Sequence, residues 1–282
     1  MLVIAEERAW EWGAPEDAYR EMGKNTSSLA VRYLGGPTAL VEIGGVRLLT
    51  DPTFDPPGDH PVGGRVLVKT DEPVVSPVQL GRVDAVLLSH DQHPDNLDNL
   101  GRDYLATAPL VLSTRAAAAR LGAGVQALET GTGTDVRGAS GGVVRVTSVP
   151  ARHGPPGCEP VVGDVTGFVI TGAGVPRVYV SGDNASLDAV RTVADRFGPI
   201  DVALLFAGAA RTALLDGAYL TLTSEEAAVA AKLLGVRHVV PLHFEGWAHF
   251  TQGRASLAEA FAAAALGDHL HLLSPDERVV LE

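Results

Sequence analysis

The sequence predicts an α/β domain that can bury one large hydrophobic core. The chain has 282 residues, of which 46% are hydrophobic, and this size and composition suit one big domain. Its first apolar runs are separated by glycine-containing turns, as in an antiparallel meander, whereas later runs alternate with helical patterns. Several of these runs are followed at once by polar side chains of the types that bind metals. We therefore expect a sheet structure with a site where strands end.

Residues 1–28 are expected to form an appendage that packs on the main domain, residues 29–282. This segment is acidic, contains Trp10 and Trp12, and has a short helical pattern over residues 16–22. Self-association of two copies through the same tryptophans is the alternative.

The first strands are predicted over residues 29–34, 38–43 and 46–50, because glycine pairs between them are typical of tight turns. Residues 55–80 are rich in Pro and Gly and are predicted to form a long loop, in which His60 is expected to be solvated.

The rest of the chain alternates between strand and helix patterns. The most clearly marked helix runs from Thr223 to Leu234, because Thr223 and Glu226 form a capping box. Residues 129–142 are predicted to be rich in turns. Further strands are predicted over residues 83–88, 111–113, 143–149, 168–171, 177–180, 200–206, 238–242, 270–273 and 279–281, and further helices over residues 114–121, 185–197 and 256–266.

Composition disfavours several functional classes. The formal net charge of −12 argues against nucleic acid as a partner, because such proteins concentrate Lys and Arg against the phosphate backbone. Cys158 is the only cysteine, so any metal site must use His and carboxylate side chains. The first residues do not resemble an export signal, and no stretch approaches ~20 unbroken apolar residues, so we expect a cytoplasmic protein with no membrane partner.

The richest polar stretch is residues 89–98, which directly follow a predicted strand. It contains His90, His93 and Asp95, and two imidazoles and a carboxylate so close in sequence can converge on one cation. Pro94 disfavours helical backbone at His93, so the stretch is predicted to be a loop rather than a helix face.

Three more polar residues occupy corresponding positions. His153, Asp183 and His243 each follow an apolar run and precede a break in the pattern. Loops at one edge of a sheet sandwich lie close together, and ligand sites gather on such edges. We therefore expect these side chains to converge with the first group.

Each of these residues also has a purely structural interpretation. Asp95 or Asn96 could cap the helix that follows, and Asp183 could cap the helix after it. His153 could be an ordinary loop histidine, and His243 could be bonded to backbone at the end of its strand.

Taken together, the residues resemble the metallo-β-lactamase fold hydrolases, and most closely the branch around L-ascorbate 6-phosphate lactonase. The resemblance covers residues 29–275 and implies an αββα sandwich of two mixed β-sheets flanked by helices. A doubly wound nucleotide-binding fold is the alternative, but no G-x-G-x-x-G pattern follows the first strand. The segments that carry the resemblance are Leu49-Thr50-Asp51-Pro52, residues 89–98, Pro150-Ala151-Arg152-His153, Ser181-Gly182-Asp183 and Pro241-Leu242-His243-Phe244.

The metal motif of this family is H-x-H-x-D-H followed by Leu-Asp. Aligned on the Leu-Asp pair at residues 97–98, the motif's Asp, second His and third His fall on Asp95, His93 and Asn96. His90 then stands one residue early. The last imidazole of the motif is therefore replaced by an amide.

The resemblance implies two sites for divalent cations, expected to be Zn or Mn. An amide carbonyl, as at Asn96, is a weaker zinc donor than imidazole, so we expect tight binding at the first site and weak binding at the second. The implied ligands are His90, His93 and His153 for the first ion and Asp95 and His243 for the second, with Asp183 bridging the two.

The predicted activity is metal-dependent hydrolysis of a small substrate, since a bound cation lowers the pKa of its water from ~16 toward ~7. Asp95 and Asp183 are the predicted catalytic carboxylates, and Asp95 would orient or deprotonate the water. By resemblance, the substrate is a lactone or a phosphorylated sugar derivative. A phosphodiester, as in the phospholipase D-like members, and metal or ligand binding without turnover are the alternatives.

Five further residues are expected to support the ligands or line the pocket. Asp51 is expected to hold the remaining N–H of a ligand histidine. The full set is Asp51, Asp91, which falls on the first-His position of the motif, Asn96, Trp247 and His249.

Overall fold

The computed structural model describes residues 29–282, and two β-sheets packed face to face form the centre of this region. Helices cover the outer face of each sheet, so the predicted αββα sandwich is confirmed. The predicted N-terminal appendage, residues 1–28, lies outside the described residues. Within residues 29–282, no helix has the length and apolar character needed to cross a bilayer.

The first sheet has seven strands and mixed pairing. They are β1 (Leu29–Gly35), β2 (Thr38–Ile43), β3 (Val46–Thr50), β6 (Ala85–Leu87), β7 (Val111–Ser113), β8 (Val125–Ala127) and β15 (Arg278–Leu281). Their order is β15-β1-β2-β3-β6-β7-β8. Neighbours from β15 to β3 run antiparallel, and neighbours from β3 to β8 run parallel.

The second sheet has six strands and is also mixed. They are β9 (Gly133–Arg137), β10 (Val143–Pro150), β11 (Thr166–Thr171), β12 (Val178–Val180), β13 (Val202–Phe206) and β14 (His238–Leu242). Neighbours from β9 to β12 are antiparallel, and β12, β13 and β14 are parallel.

The helices form the two outer layers. They are α1 (Pro77–Leu80), α2 (Asn99–Leu105), α3 (Arg115–Leu121), α4 (Glu159–Val162), α5 (Leu187–Phe197), α6 (Ser224–Leu234) and α7 (Arg254–Ala263). The predicted capping box of α6 is present, since Thr223 and Glu226 bond each other's backbone N–H groups. The caps proposed as structural alternatives are wrong, because Asp98 caps α2 and Ser186 caps α5.

Side chains alternate between the two faces of a strand, so one strand contributes to two hydrophobic cores. In β13, Val202, Leu204 and Phe206 face the core between the sheets, whereas Ala203 and Leu205 pack under the helices α5 to α7. Strands covered on both faces read as continuous apolar runs, which is why these strands were recognisable in the sequence.

Three predictions of local structure are wrong. Residues 55–80 are not one loop, because β4 (Gly58–Val62) and β5 (Arg65–Lys69) form a hairpin whose turn residues, Gly63 and Gly64, both have positive φ. Strand β9 forms inside the stretch predicted to be turns. Residues 270–273 form no strand, and Leu270 makes a single bridge to Val239.

Candidate metal centre

The predicted ligands come together where strands of both sheets end. His90 lies shortly after β6 in the first sheet, while His153, Asp183 and His243 follow β10, β12 and β14 in the second. Backbone bonds hold the loops together, because the N–H of Thr166 donates to the carbonyl of Ser89 at 3.1 Å across the two sheets. The site is thus built between the sheets at one edge of the sandwich.

Three imidazoles form the first cluster. His93 Nδ1 lies 2.9 Å from His90 Nε2 and 3.2 Å from His153 Nε2. Asp183 Oδ2 lies 4.0 Å from His90 Nε2. All four side chains are buried, and their donor atoms are close enough to one another to surround a single cation.

The second cluster uses the other oxygen of the same aspartate. His243 Nε2 lies 3.3 Å from both Asp95 Oδ2 and Asp183 Oδ1. On its other side, Asp95 Oδ2 is 3.1 Å from His249 Nε2. Asp183 therefore lies between the two clusters, with Oδ2 facing the first and Oδ1 facing the second.

The donor set fits divalent cations. Buried polar atoms normally have a hydrogen-bond partner, yet Asp95 Oδ1, Asp183 Oδ2 and His243 Nδ1 have none in the described part of the chain. Imidazole and carboxylate are ligands for zinc and for the neighbouring transition metals. A cation at each cluster would satisfy these atoms, and the residues present therefore fit the predicted cofactor.

The protonation states of the clusters differ. Burial, and then His153, lower the pKa of His93 to about 4, and burial also lowers the pKa of His90, so both rings are neutral at pH 7. Burial opposes charge on His243 as well, but Asp183 and Asp95 outweigh it and raise the pKa of His243 to about 10. His90 and His93 can therefore bind a cation without losing a proton, whereas His243 must first lose one.

The carboxylates of the second cluster are ionised. Burial alone would raise the pKa of Asp95, but His249 and His243 together hold it well below its usual range. The same holds for Asp183, where His243 and His153 overcome burial and lower the pKa. Both side chains can therefore serve as ligands or proton acceptors at neutral pH.

The profile of the family described as "Beta-lactamase superfamily domain" matches residues 46–244, more than half of the chain and all of the clusters above. The chain belongs to this family. The predicted metal-dependent hydrolase of the metallo-β-lactamase superfamily is thereby confirmed, together with the fold, while the lactonase branch stays a prediction.

Curated relatives and solved structures agree with the family. A UPF0173 metal-dependent hydrolase of Rubrobacter xylanophilus is 30% identical over 259 residues, covering 88% of this chain and 95% of that protein. One from Pyrococcus furiosus is 28% identical over 217 residues, covering 77% and 85%. Among solved structures, isothiocyanate hydrolase from Delia radicum gut bacteria matches with a TM-score of 0.74 at 20% identity, covering 89% of this chain and 98% of that one. A metallo hydrolase from Ignicoccus hospitalis matches with a TM-score of 0.66 at 23% identity, covering 90% and 99%.

In this superfamily member, Asp51 is linked to His90 through hydrogen bonds of Ser89. The backbone N–H and the hydroxyl of Ser89 donate to Asp51 at 2.6 and 2.7 Å, and the Ser89 hydroxyl lies 3.0 Å from His90 Nδ1. The expected direct bond from Asp51 to a ligand histidine is therefore wrong, because Ser89 lies between them. This chain of hydrogen bonds from Asp51 through Ser89 still fixes the His90 ring so that Nε2 faces the cluster. Burial raises the pKa of Asp51 to about 7.

Asn96 turns its amino group, not its carbonyl, toward the shared aspartate. Its Nδ2 donates to Asp183 Oδ1 at 3.1 Å and to Asp51 Oδ2 at 3.2 Å. In this orientation Asn96 is a hydrogen-bond donor that holds two carboxylates, and its buried Oδ1 has no hydrogen-bond partner among the described residues.

Asp91 points away from both clusters. Its carboxylate accepts from Arg120 Nε at 2.9 and 3.1 Å, and its carbonyl accepts from Arg102. The side chain is buried but occupied by this ion pair, so it supports Arg120 rather than a metal.

His60, Trp247 and His249 lie beside the site or the hairpin next to it. His60 is buried, 3.7 Å from Asp55, and packs against Trp247 with ring centroids 5.1 Å apart, so the prediction of a solvated loop histidine is wrong. Trp247 is buried beneath the β4–β5 hairpin and does not line the pocket described below. His249 does not line that pocket either, but it contacts the ligand Asp95 at 3.1 Å, in agreement with a supporting position.

Two backbone features hold the ligand loops in place. Gly182 has φ +54°, and a Cβ there would lie 2.6 Å from the Thr166 carbonyl, so the approach to Asp183 requires glycine. His243 itself has φ +56°, in the left-handed region, and its N–H donates to the Gly36 carbonyl at 2.7 Å.

A pocket of about 600 Å³ opens beside the first cluster at His93. Its wall combines side chains from the β4–β5 hairpin, α3 and α4. The lining residues are Val62, Gly63, Arg65, Gln92, His93, Ala116, Arg120, Glu159, Pro160, Val161, Val162, Gly163, Asp164 and Leu214. Arg65 was not recognised in the sequence, although the Gly63-Gly64 turn before β5 marks the hairpin that carries it.

Proposed function

We propose that this metal-dependent hydrolase cleaves an ester-type bond in a small substrate by means of a water activated between the two clusters. The observation that carries the proposal is the position of Asp183, whose two oxygens face different clusters beside a pocket of about 600 Å³. Adjoining sites of this kind can act on both the attacking and the leaving oxygen of a displacement.

The cofactor is proposed to be Zn or Mn. His90, His93 and His153 would hold the first ion, Asp95 and His243 the second, and Asp183 would contact both. When bound, a divalent cation lowers the pKa of its water toward ~7 and polarises the carbonyl or phosphoryl group of the substrate.

Asp95 is the proposed proton acceptor. It is ionised and buried, and Oδ1 has no partner in the described part of the chain. His249 and His243 both contact Oδ2, so the carboxylate is held with Oδ1 free. Such a positioned base within hydrogen-bond reach of the attacking water is what general base catalysis requires.

A lactone or a phosphorylated sugar derivative is the proposed substrate, and a phosphodiester is the second candidate. Arg65, which lines the pocket, favours an anionic substrate in either case. We place the protein in the cytoplasm, because its one cysteine, Cys158, is buried and free.

The test is a panel of a lactone, a sugar phosphate lactone, a thioester and bis(4-nitrophenyl) phosphate, each assayed with Zn, Mn and Mg added in turn. We expect turnover with Zn or Mn that is lost in Asp183→Asn, a variant of nearly the same shape. No turnover on any pair, by protein that elemental analysis shows to be loaded with metal, would contradict hydrolysis and favour a binding role.

A further inference from the structure

The three histidines of the first cluster differ in what their outward nitrogens contact. His153 Nδ1 donates to the carbonyl of Leu220 at 2.8 Å, and His90 Nδ1 lies 3.0 Å from the Ser89 hydroxyl. Both acceptors are of the kind that metal-binding histidines use to fix their tautomer. Among residues 29–282, the outward nitrogen of His93 has no such acceptor.

His93 Nε2 instead faces a cation. It lies 3.5 Å from Arg65 Nη2, and a guanidinium has only donors. Because His93 Nδ1 points at the other two imidazoles, use of Nδ1 as a ligand leaves the ring proton on Nε2. Two N–H donors then face each other with no acceptor between them.

Arg65 is held in this position without neutralisation of its charge. Its Nη1 donates to the Thr212 hydroxyl at 2.8 Å, and no described carboxylate lies within ion-pair distance of it. Arg120, the other arginine of the pocket, is paired with Asp91. Glu159 and Asp164 also line the pocket, but neither forms an ion pair with Arg65 among the described residues.

We propose that Arg65 and the Nε2–H of His93 bind an oxyanion carried by the substrate, a carboxylate or a phosphate, beside the first metal. A single oxygen can lie at hydrogen-bond distance, ~2.8–3.0 Å, from two donors that are 3.5 Å apart, and a charged oxygen makes both bonds stronger. This inference rests on the proposed function, since it assigns a substrate class to the same site.

The apolar part of the wall restricts the rest of the substrate. Val62, Val161, Val162 and Leu214 line the same pocket as Arg65. The arrangement suits a molecule with an anionic group near the metals and a less polar body toward the pocket mouth, and it disfavours a neutral ester of the same size.

The experiment measures anion binding to the metal-loaded protein by calorimetry, with inorganic phosphate and with butyrate as probes. The variants are Arg65→Gln and, as the matched control, Arg191→Gln, which removes the same charge from an exposed ion pair on α5. Arg65→Lys keeps the charge but loses the planar fork. Elemental analysis and thermal unfolding verify that each variant is folded and carries its metal.

We expect Arg65→Gln to weaken binding of at least one probe by about tenfold or more, as for loss of a charge-assisted hydrogen bond, with Arg65→Lys intermediate and Arg191→Gln unchanged. The probe that binds more tightly identifies the anionic group. Equal affinity of Arg65→Gln and the unmodified protein for both probes would overturn the proposal. Because binding is measured without turnover, a failure of the hydrolase proposal in the substrate panel would leave this result interpretable.

Discussion

Lys69 Nζ lies 3.0 Å from Asp98 Oδ2, and both side chains are buried. The same carboxylate accepts from the backbone N–H groups of Asp55, at 2.7 Å, and Gly101, at 2.8 Å. One aspartate, directly after the ligand loop, therefore ties together the β4–β5 hairpin, the loop before it and the first turn of α2. In this chain, the Asp of the Leu-Asp pair therefore has a structural role.

Lys69→Met should destabilise the fold strongly. It leaves the Asp98 carboxylate buried without its cation, and breaking a buried pair in this way costs roughly 3–5 kcal/mol of unfolding free energy. Urea denaturation measures the loss. Arg191→Met, which breaks an exposed pair with Asp188, should cost under about 1 kcal/mol. Similar losses in the two variants would show that the Lys69 contact is not a structural tie.

His153→Ala should remove the first metal and abolish hydrolysis. His90, His93 and His153 form the first cluster, and the nitrogens of His90 and His153 lie within 3.2 Å of His93 Nδ1. The variant deletes one of these three imidazoles. Asn96→Ala should retain the first metal, because the Asn96 side chain donates to Asp51 and to Asp183 Oδ1, the oxygen that faces the second cluster. Elemental analysis of the two purified variants gives the comparison, and full metal content in His153→Ala would contradict this ligand assignment.

Asn96→His should raise occupancy of the second site. The Asn96 amide already reaches Asp183 Oδ1, so an imidazole there can supply the donor that the family has at this position. In the unmodified protein the second cluster has one fewer imidazole, and even changes around metal ligands alter affinity by ~10–100-fold. Titration with zinc against a chelator should give one tight equivalent in the unmodified chain. Two tight equivalents there would show that other residues complete the second site.

Metal binding at the second cluster should release a proton from His243, and binding at the first should release none from His90 or His93. With a pKa of about 10, His243 is protonated at pH 7 in the metal-free protein, whereas His93, with a pKa of about 4, is already neutral. Affinity at the second site should therefore fall about tenfold for each pH unit below 10, whereas His90 and His93 add no such dependence at neutral pH. Calorimetry in buffers of different ionisation enthalpy counts the protons, and equal release at both sites would contradict the assignment.

The sequence was most informative where a side chain's role depends on its position after a strand. His153, Asp183 and His243 could be picked out because strands buried on both faces are continuous apolar runs, and their ends are sharp. The αββα arrangement came from the resemblance, since apolar runs alone do not define which strands pair.

Contacts between loops could not be predicted in this way. Nothing in the spacing of Ser89 and Asp51 indicates that a serine hydroxyl mediates their link to His90. Asp91 occupies a motif position, yet Arg120, which is distant in sequence, turns it away from the metals. The position of Arg65 beside the site could not be predicted either, because it lies on a hairpin with a Gly-Gly turn inside a segment whose prolines indicated a loop.

The left-handed backbone of His243 marks a position where strain is tolerated for the sake of a side chain. A residue with a Cβ in this conformation carries about 1–2 kcal/mol of strain, and glycine carries almost none. Glycine would relieve that strain, but it would leave the buried carboxylates of Asp95 and Asp183 without the imidazolium that contacts both. A library screened for heat resistance would therefore keep histidine at position 243 in spite of its backbone, and a screen for turnover would return the same residue.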